Sequence, residues 1–220
     1  MTDLNKREQI IVICRELVQE KGYQTLTMSE IAKKLKIKAP SIYHYFSSKE
    51  QMVKAAIISY RDTFQLILEK LEKQSETKKC LEGLINAYSL ILKSNGKSIC
   101  LYASLMAEVN TLPDSIIQEL NDFFDLQVNW IVKIFQNNNP ISKSEAIMII
   151  ATLKGSMDVA RLKGDSKYFK SSAYTLLNNF IISPEKLKTP TKKGIFNGLI
   201  EKVLSIYPSS TPDLFDFVVV

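Results

Sequence analysis

Apolar residues return every three or four positions through nearly all of the first 182 residues, and little interrupts them. Seven glycines and seven prolines in 220 residues are about half their usual combined share of roughly 12%. Long stretches of helical period with so few turn-makers exclude a sandwich or barrel and predict an all-α chain with short joints. The first stripe, Ile10, Ile13, Cys14, Leu17 and Val18, stands opposite Lys6, Arg7, Arg15 and Glu16 and stops at Gly22, as expected of a glycine just past a helix. Three pairs read as capping boxes, in which a hydroxyl and a side chain three residues on satisfy free backbone donors reciprocally. They are Thr27 with Glu30, Ser48 with Gln51, and Ser142 with Glu145. Pro40 opens a short helix, since the first turn tolerates its missing N–H. Tyr45 and Phe46 after it read as core. Further helices are expected over 48–73, 77–93, 98–110, 114–135, 146–163 and 166–182. Beyond Ser183 four prolines punctuate the chain, with one amphipathic stretch over 191–207 and then a tail open to disorder.

Several function classes recede at once. Cys14, Cys80 and Cys100 lack metal-ligand spacing and read as buried free thiols. His44 is the only histidine, which leaves one candidate base for nucleophilic catalysis. The C-terminal half offers no convergent acid, base and nucleophile. No enzyme activity, metal site or cofactor is therefore expected. No apolar run nears the roughly 18 residues of a membrane span, and MTDLNKREQ carries no apolar core or cleavage site of a signal peptide. The expectation is a cytoplasmic protein.

The net charge of +6 is uneven. Residues 1–54 hold ten Lys/Arg against six Asp/Glu, with Lys33, Lys34, Lys36 and Lys38 inside six positions. A lysine cluster is ordinarily a solvated helix face. It becomes a phosphate-facing surface only beside a suitable motif. That motif is present: two short helices joined by a tight break, after a longer one, form a helix-turn-helix candidate. The second must offer small or hydrogen-bonding residues at its N-terminal end. Here these are Ala39, Pro40 and Ser41, with Tyr43 and His44 a turn further on. Lys49 stands beside the free amides of the next helix, an anion-binding position.

Gly22-Tyr23 through Thr27, Ile31-Ala32, the run Lys38-Ala39-Pro40-Ser41-Ile42-Tyr43-His44-Tyr45-Phe46 and Ser48-Lys49-Glu50 together closely resemble the DNA-binding domain of the TetR family of bacterial transcriptional regulators. Further on, Cys100-Leu101-Tyr102, Ala107-Glu108, Leu112-Pro113, Phe123-Phe124, Trp130, Gly155 and the turn from Arg161 to Asp165 resemble the C-terminal domain of its multidrug and flavonoid-responsive subgroup. The resemblance implies a homodimer. It assigns residues 1–47 to a DNA-binding head and 48–182 to ligand binding and dimerisation, with 48–73 as connecting helix. Residues 183–220 become an extension longer than the usual family end. Thr27, Lys38, Ala39, Pro40, Ser41, Tyr43, His44 and Lys49 are the implied DNA contacts. The implied pocket draws on Tyr60, Phe64, Tyr88, Tyr102, Leu105, Met106, Asn110, Phe124, Trp130, Lys154 and Met157, although aromatics at helical spacing are most often core. Their apolar bias points to a small hydrophobic or aromatic ligand. Ala151, Gly155 and Ala160 are small enough for close helix approach across a dimer. One departure stands out: the turn ordinarily carries glycine, and Lys36 in a left-handed conformation costs about 1 kcal/mol. The implied function is a ligand-responsive repressor of a palindromic operator. The alternative is a helical small-molecule-binding protein that binds no operator.

Overall fold

A computed structural model describes residues 5–179 apart from 75, 95–99 and 138. All regular structure among them is helical: α1 Lys6–Thr25, α2 Met28–Leu35, α3 Ala39–Tyr43, α4 Lys49–Glu72, α5 Thr77–Ser94, α6 Leu101–Met106, a 3-10 turn Val109–Thr111, α7 Asp114–Phe135, α8 Lys143–Lys163 and α9 Lys167–Leu177. The expected terminal helix over 191–207 and its tail lie outside the described residues.

The helix starts follow the caps. Thr27 and Ser142 form complete boxes with Glu30 and Glu145. Asn5 and Glu8 form a further one at the start of α1. At Ser48 only half a box exists: the hydroxyl accepts from the Gln51 amide at 3.1 Å, but Gln51 is exposed and does not return the bond. Gly22 does not end α1. It kinks the helix at φ +85° and ψ 175°, a region essentially reserved for glycine, and a further turn follows. The expected helix over 98–110 is shorter. Glu108 leaves helical geometry at φ −113°, ψ 14°, which frees its carboxylate to reach across to α1.

Two apolar clusters organise the described chain. The first joins Ile10, Cys14, Val18, Ile31, Ile42, Met52 and Ala56 to Leu101, Leu105, Leu112, Ile116 and Leu120. Three short helices cannot seal a core alone, so α6 and the start of α7 complete it. The second gathers Phe64, Leu84, Tyr88, Phe123, Ile131, Ile150, Leu153, Met157 and Phe169 from α4, α5, α7, α8 and α9. Helices α4 and α7 are also tied by the buried Glu119, which takes Arg61 at 2.7 Å and Lys54 at 3.3 Å.

Candidate DNA-reading head and effector cavity

The turn between α2 and α3 is set by its backbone. Lys36 adopts φ 56°, ψ 40°, and its N–H donates to the carbonyls of Ala32 and Lys33. The Ile37 amide reaches Ala32 O at 3.0 Å, so the left-handed residue closes the end of α2 as a glycine would. Lys38 then enters α3 in extended geometry, without a side-chain cap, and Pro40 occupies the first turn. Ile42 is wholly buried and anchors α3. Around it Lys38, Pro40, Tyr43 and His44 are exposed, Ala39 and Ser41 are half-buried, and Lys33, Lys34 and Lys36 flank them in solvent.

Three assignments change. Tyr45 is exposed rather than core, because it follows the end of α3 and points away from Ile42. Phe46 alone packs inward, beneath the Arg7 guanidinium at 4.9 Å. The Thr27 hydroxyl is already engaged, donating to Glu30 Oε2 at 2.9 Å. Lys49 does not project toward the open face. Its Nζ donates to the carbonyls of Tyr23 at 3.2 Å and Gln24 at 3.4 Å and lies 4.4 Å from the centre of the Tyr23 ring.

That lysine is one jaw of a clamp. The other is Glu108, which accepts the amides of Tyr23 and Gln24, each at 2.8 Å, on its two carboxylate oxygens. The peptide after the Gly22 kink is held by its carbonyls from α4 and by its amides from the end of α6. A Cβ at Gly22 would stand 2.0 Å from Glu108 Oε1, so only glycine lets the carboxylate approach. Glu108 lies within the segments of resemblance, yet its clamp role is not expected from them. Its 85-residue separation from Tyr23 leaves no local signal.

Six of the eleven expected pocket residues divide between two cavities of about 510 Å³ each. One opens between α6 and α8 and includes Cys100, Tyr102, Met106, Lys154, Met157 and Arg161. The other lies between α4 and α5 and includes Tyr60, Phe64, Asn86 and Leu90. The wall between them is aromatic. Phe123 stands 5.4 Å from Tyr60, 5.3 Å from Phe64 and 5.7 Å from Tyr102, ring to ring. Phe123, not its neighbour Phe124, is the inward residue; Phe124 is half-buried against the core. Tyr88 is buried, with its hydroxyl bonded to Gln127, and burial pushes its phenol well above the usual value. Leu105 belongs to the first apolar cluster, and Asn110 is exposed in the 3-10 turn. Trp130 is buried beside a separate groove with Leu68 and Lys133. None of Tyr88, Leu105, Asn110, Phe124 and Trp130 lines either large cavity. Cys100 is half-buried rather than buried, caps α6 through Sγ and reaches the cavity. Cys14, sealed in the first core, is an inert thiol pushed up to about 12.

On α8, Ala151 and Gly155 are exposed, and a Cβ at Gly155 would meet nothing within 4 Å. Ala160 is different. It is buried in the second core and cannot meet a symmetry mate. The exposed positions Met148, Val159 and Leu162 continue the face of Ala151 and Gly155, since their spacing of three and four residues keeps one stripe.

A helix-turn-helix head continuing through one long helix into a cavity-bearing helical body defines a class, the helix-turn-helix transcriptional regulator. Residues 10–56 match the family model for bacterial regulatory proteins of the tetR family. Those residues carry the DNA-binding module of TetR-type bacterial regulators. A TetR transcriptional regulator from Legionella pneumophila is similar at 26% identity and TM-score 0.75, over 80% of this chain and 97% of that one. The biofilm operon icaADBC negative transcriptional regulator IcaR of Staphylococcus epidermidis is 22% identical over 185 residues, 80% of this chain and 98% of the relative. FadR of Bacillus subtilis, solved in complex with stearoyl-CoA, shares the fold at TM-score 0.65 and 18% identity, over 80% of this chain and 98% of that one. Among the described residues no helix is long and apolar enough to cross a membrane.

Proposed function

We propose that this protein is a cytoplasmic repressor that binds a palindromic operator as a homodimer and is released by a small molecule with an apolar body. The observation that carries this reading is the Glu108 clamp. The wall of the α6–α8 cavity, from Cys100 to Ala107, runs directly into the residue that holds Tyr23 and Gln24, four and three residues before the α2 cap at Thr27. A ligand that displaces α6 moves the head through two charge-assisted hydrogen bonds.

In this reading the exposed end of α3, with Lys38, Ala39, Pro40, Ser41, Tyr43 and His44, faces DNA, and residues 1–47 are the reading unit. Thr27 stays near DNA as a cap. Lys49 acts by fixing α4 to the head rather than as a free phosphate contact. Residues 48–182 hold ligand and partner. The mate packs on the stripe of Met148, Ala151, Gly155, Val159 and Leu162. Leu162, at 83% exposed, is a large apolar side chain that a second copy would cover. Half-sites on B-DNA lie about 34 Å apart, so a small tilt of each head misaligns the pair. IcaR, the relative above, is named a negative regulator, and FadR above holds an acyl ligand in the same fold. Both support the sign and the mode.

The test is a mobility-shift titration on DNA from upstream of the gene itself, against scrambled DNA of equal length. Two protomers per site and at least about 100-fold preference at one salt concentration are expected. Equal affinity for scrambled DNA would leave the alternative, a small-molecule-binding protein without an operator. With an inducing compound in hand, Phe64→Ala and Glu108→Gln separate the parts. The first reports on the α4–α5 cavity through ligand affinity. The second should shrink the coupling, about 1–3 kcal/mol in systems of this kind, while leaving ligand affinity in place.

A further inference from the structure

We propose that the α6–α8 cavity takes an amphipathic monoanion, a carboxylate on an apolar body, with Lys154 as its counter-ion. The proposal rests on the ligand-cavity reading above and narrows it from any apolar molecule to one charge type.

Lys154 is the observation. Its Nζ lies 4.0 Å from the centre of the Tyr102 ring and 5.3 Å from that of Phe123. Among the described residues no carboxylate comes within ion-pairing distance of it. The nearest acid along the helix, Asp158, is turned to Arg161 at 3.4 Å and is largely solvent-facing. Burial pulls the Lys154 ammonium below the usual lysine range, with Cys100 and Asp158 working weakly against it. The ring faces compensate the charge only in part.

Arg161 is the second observation. It stands seven residues along α8 and lines the same cavity, and its Nε is buried without an acceptor among the described residues. Buried donors in native proteins are almost always satisfied. One cavity therefore holds a half-buried lysine without an ion-pair partner and a buried donor without an acceptor. The rest of its wall is apolar or aromatic, with Tyr102, Met106 and Met157, apart from Cys100 and Asp158, whose carboxylate faces Arg161 at 3.4 Å.

These features discriminate between ligand classes. A cation meets Lys154 and Arg161, of which only Arg161 has an anion, Asp158, beside it. A neutral apolar molecule expels water from Lys154 and Arg161 and returns nothing to either. A carboxylate supplies the missing charge to Lys154, keeps lone pairs for a second donor, and lays its body on the aromatic and methionine wall.

The experiment uses the full chain and matched probes. Calorimetric titrations compare 1-naphthaleneacetate with 1-naphthaleneacetamide, which share ring and size but differ in charge. Decanoate against decanol repeats the comparison on an aliphatic body. The wild type should prefer the anion of at least one pair by about tenfold or more. Lys154→Met, similar in length and apolar, should abolish or invert that preference. Arg161→Gln should reduce it by a smaller factor, about two- to fivefold. Unliganded Lys154→Met should melt above the wild type, since it removes a charge that nothing pairs. Equal binding of charged and uncharged probes, no binding of either anion, or a preference that survives Lys154→Met would each overturn the proposal. Operator binding is scored separately. A chain that prefers the anion and binds no DNA would sink the repressor reading alone, and a DNA-binding chain without anion preference would sink this proposal alone.

Discussion

The two apolar cores are finished to different standards. Around the first, the polar groups are engaged: Thr27 and Glu30 cap each other, Glu108 and Lys49 hold the peptide after the kink, and the Ser104 hydroxyl donates to Val18 O at 2.6 Å. The second encloses the aromatic wall, is flanked by two large cavities and accompanies the buried polar atoms left without a partner among the described residues, Ser89 Oγ, Trp130 Nε1 and Arg161 Nε. A reading head must hold one geometry, because a displaced recognition helix loses its register on DNA. In the proposed reading the second part needs an arrangement that a ligand stabilises, and voids with unsatisfied groups leave room for one. The rigid part and the adaptable part meet at Glu108.

The largest expected effect attacks that meeting point. Gly22→Ala forces a Cβ into a backbone region essentially closed to it and onto Glu108 Oε1, 2.0 Å away. Strain of about 1–3 kcal/mol adds to the loss of hydrogen bonds to a charged group, about 1.5–3 kcal/mol. Denaturant unfolding should show a loss of about 3 kcal/mol, and operator affinity should fall with it. A variant as stable as the wild type would mean that the kink relaxes freely and the head is not the rigid partner.

Next comes the surface proposed for a second copy. Gly155→Glu places a carboxylate in the middle of an exposed apolar stripe. Nothing within 4 Å meets its Cβ in the protomer, so thermal stability at high dilution should change by no more than about 0.5 kcal/mol. Sedimentation should show monomers, because the same carboxylate would be desolvated without a partner across the interface. A dimer of native affinity would remove this stripe from the contact.

Two lysines sharpen the division inside the head. Lys38→Ala removes an exposed charge and should flatten the dependence of log affinity on log salt by about one, with stability unchanged. Lys49→Ala removes two hydrogen bonds to carbonyls and a cation–ring contact. It should lower stability by about 1–2 kcal/mol and move the salt slope less. The opposite pattern would return Lys49 to the DNA face.

What the sequence disclosed follows the same line. Caps, stripes and the helix-turn-helix depend on residues three or four apart, so α2, α4, α5, α7 and α8 were legible to within a few residues. The α3 surface was legible too, because Ile42 alone must be buried and its neighbours follow from the helix turn. The cavity walls were not. Phe123 and Phe124 are equivalent as letters, and only the rotation of α7 decides which one meets Tyr60 and Tyr102. Ala160 looked like Ala151 for the same reason. The Glu108 clamp joins positions 85 apart, beyond any local pattern. Lys154 was noticed as polar among apolar residues, but its lack of a counter-ion is a fact about three helices at once.

The smallest effect concerns the turn that begins the reading helix. Lys36 holds φ 56°, which costs a residue with a Cβ about 1 kcal/mol. Its exposed side chain has no salt-bridge partner among the described residues, so replacing it removes that strain without breaking an ion pair. Glycine fits the conformation but gains freedom in the unfolded chain, worth about 0.4–1 kcal/mol in the opposite direction. Lys36→Gly should therefore stabilise by at most about 0.5 kcal/mol. Lys36→Asn, which tolerates left-handed geometry without glycine's unfolded-state entropy, should gain at least as much. Both variants lose the same charge, so their salt slopes on operator DNA should fall together, by at most about one. Matched stability gains with matched slopes would assign Lys36 a charge role held at a conformational cost. A loss of stability in both would show instead that the lysine's aliphatic stem packs on the turn, and that the head is tuned at this residue by contact rather than by charge.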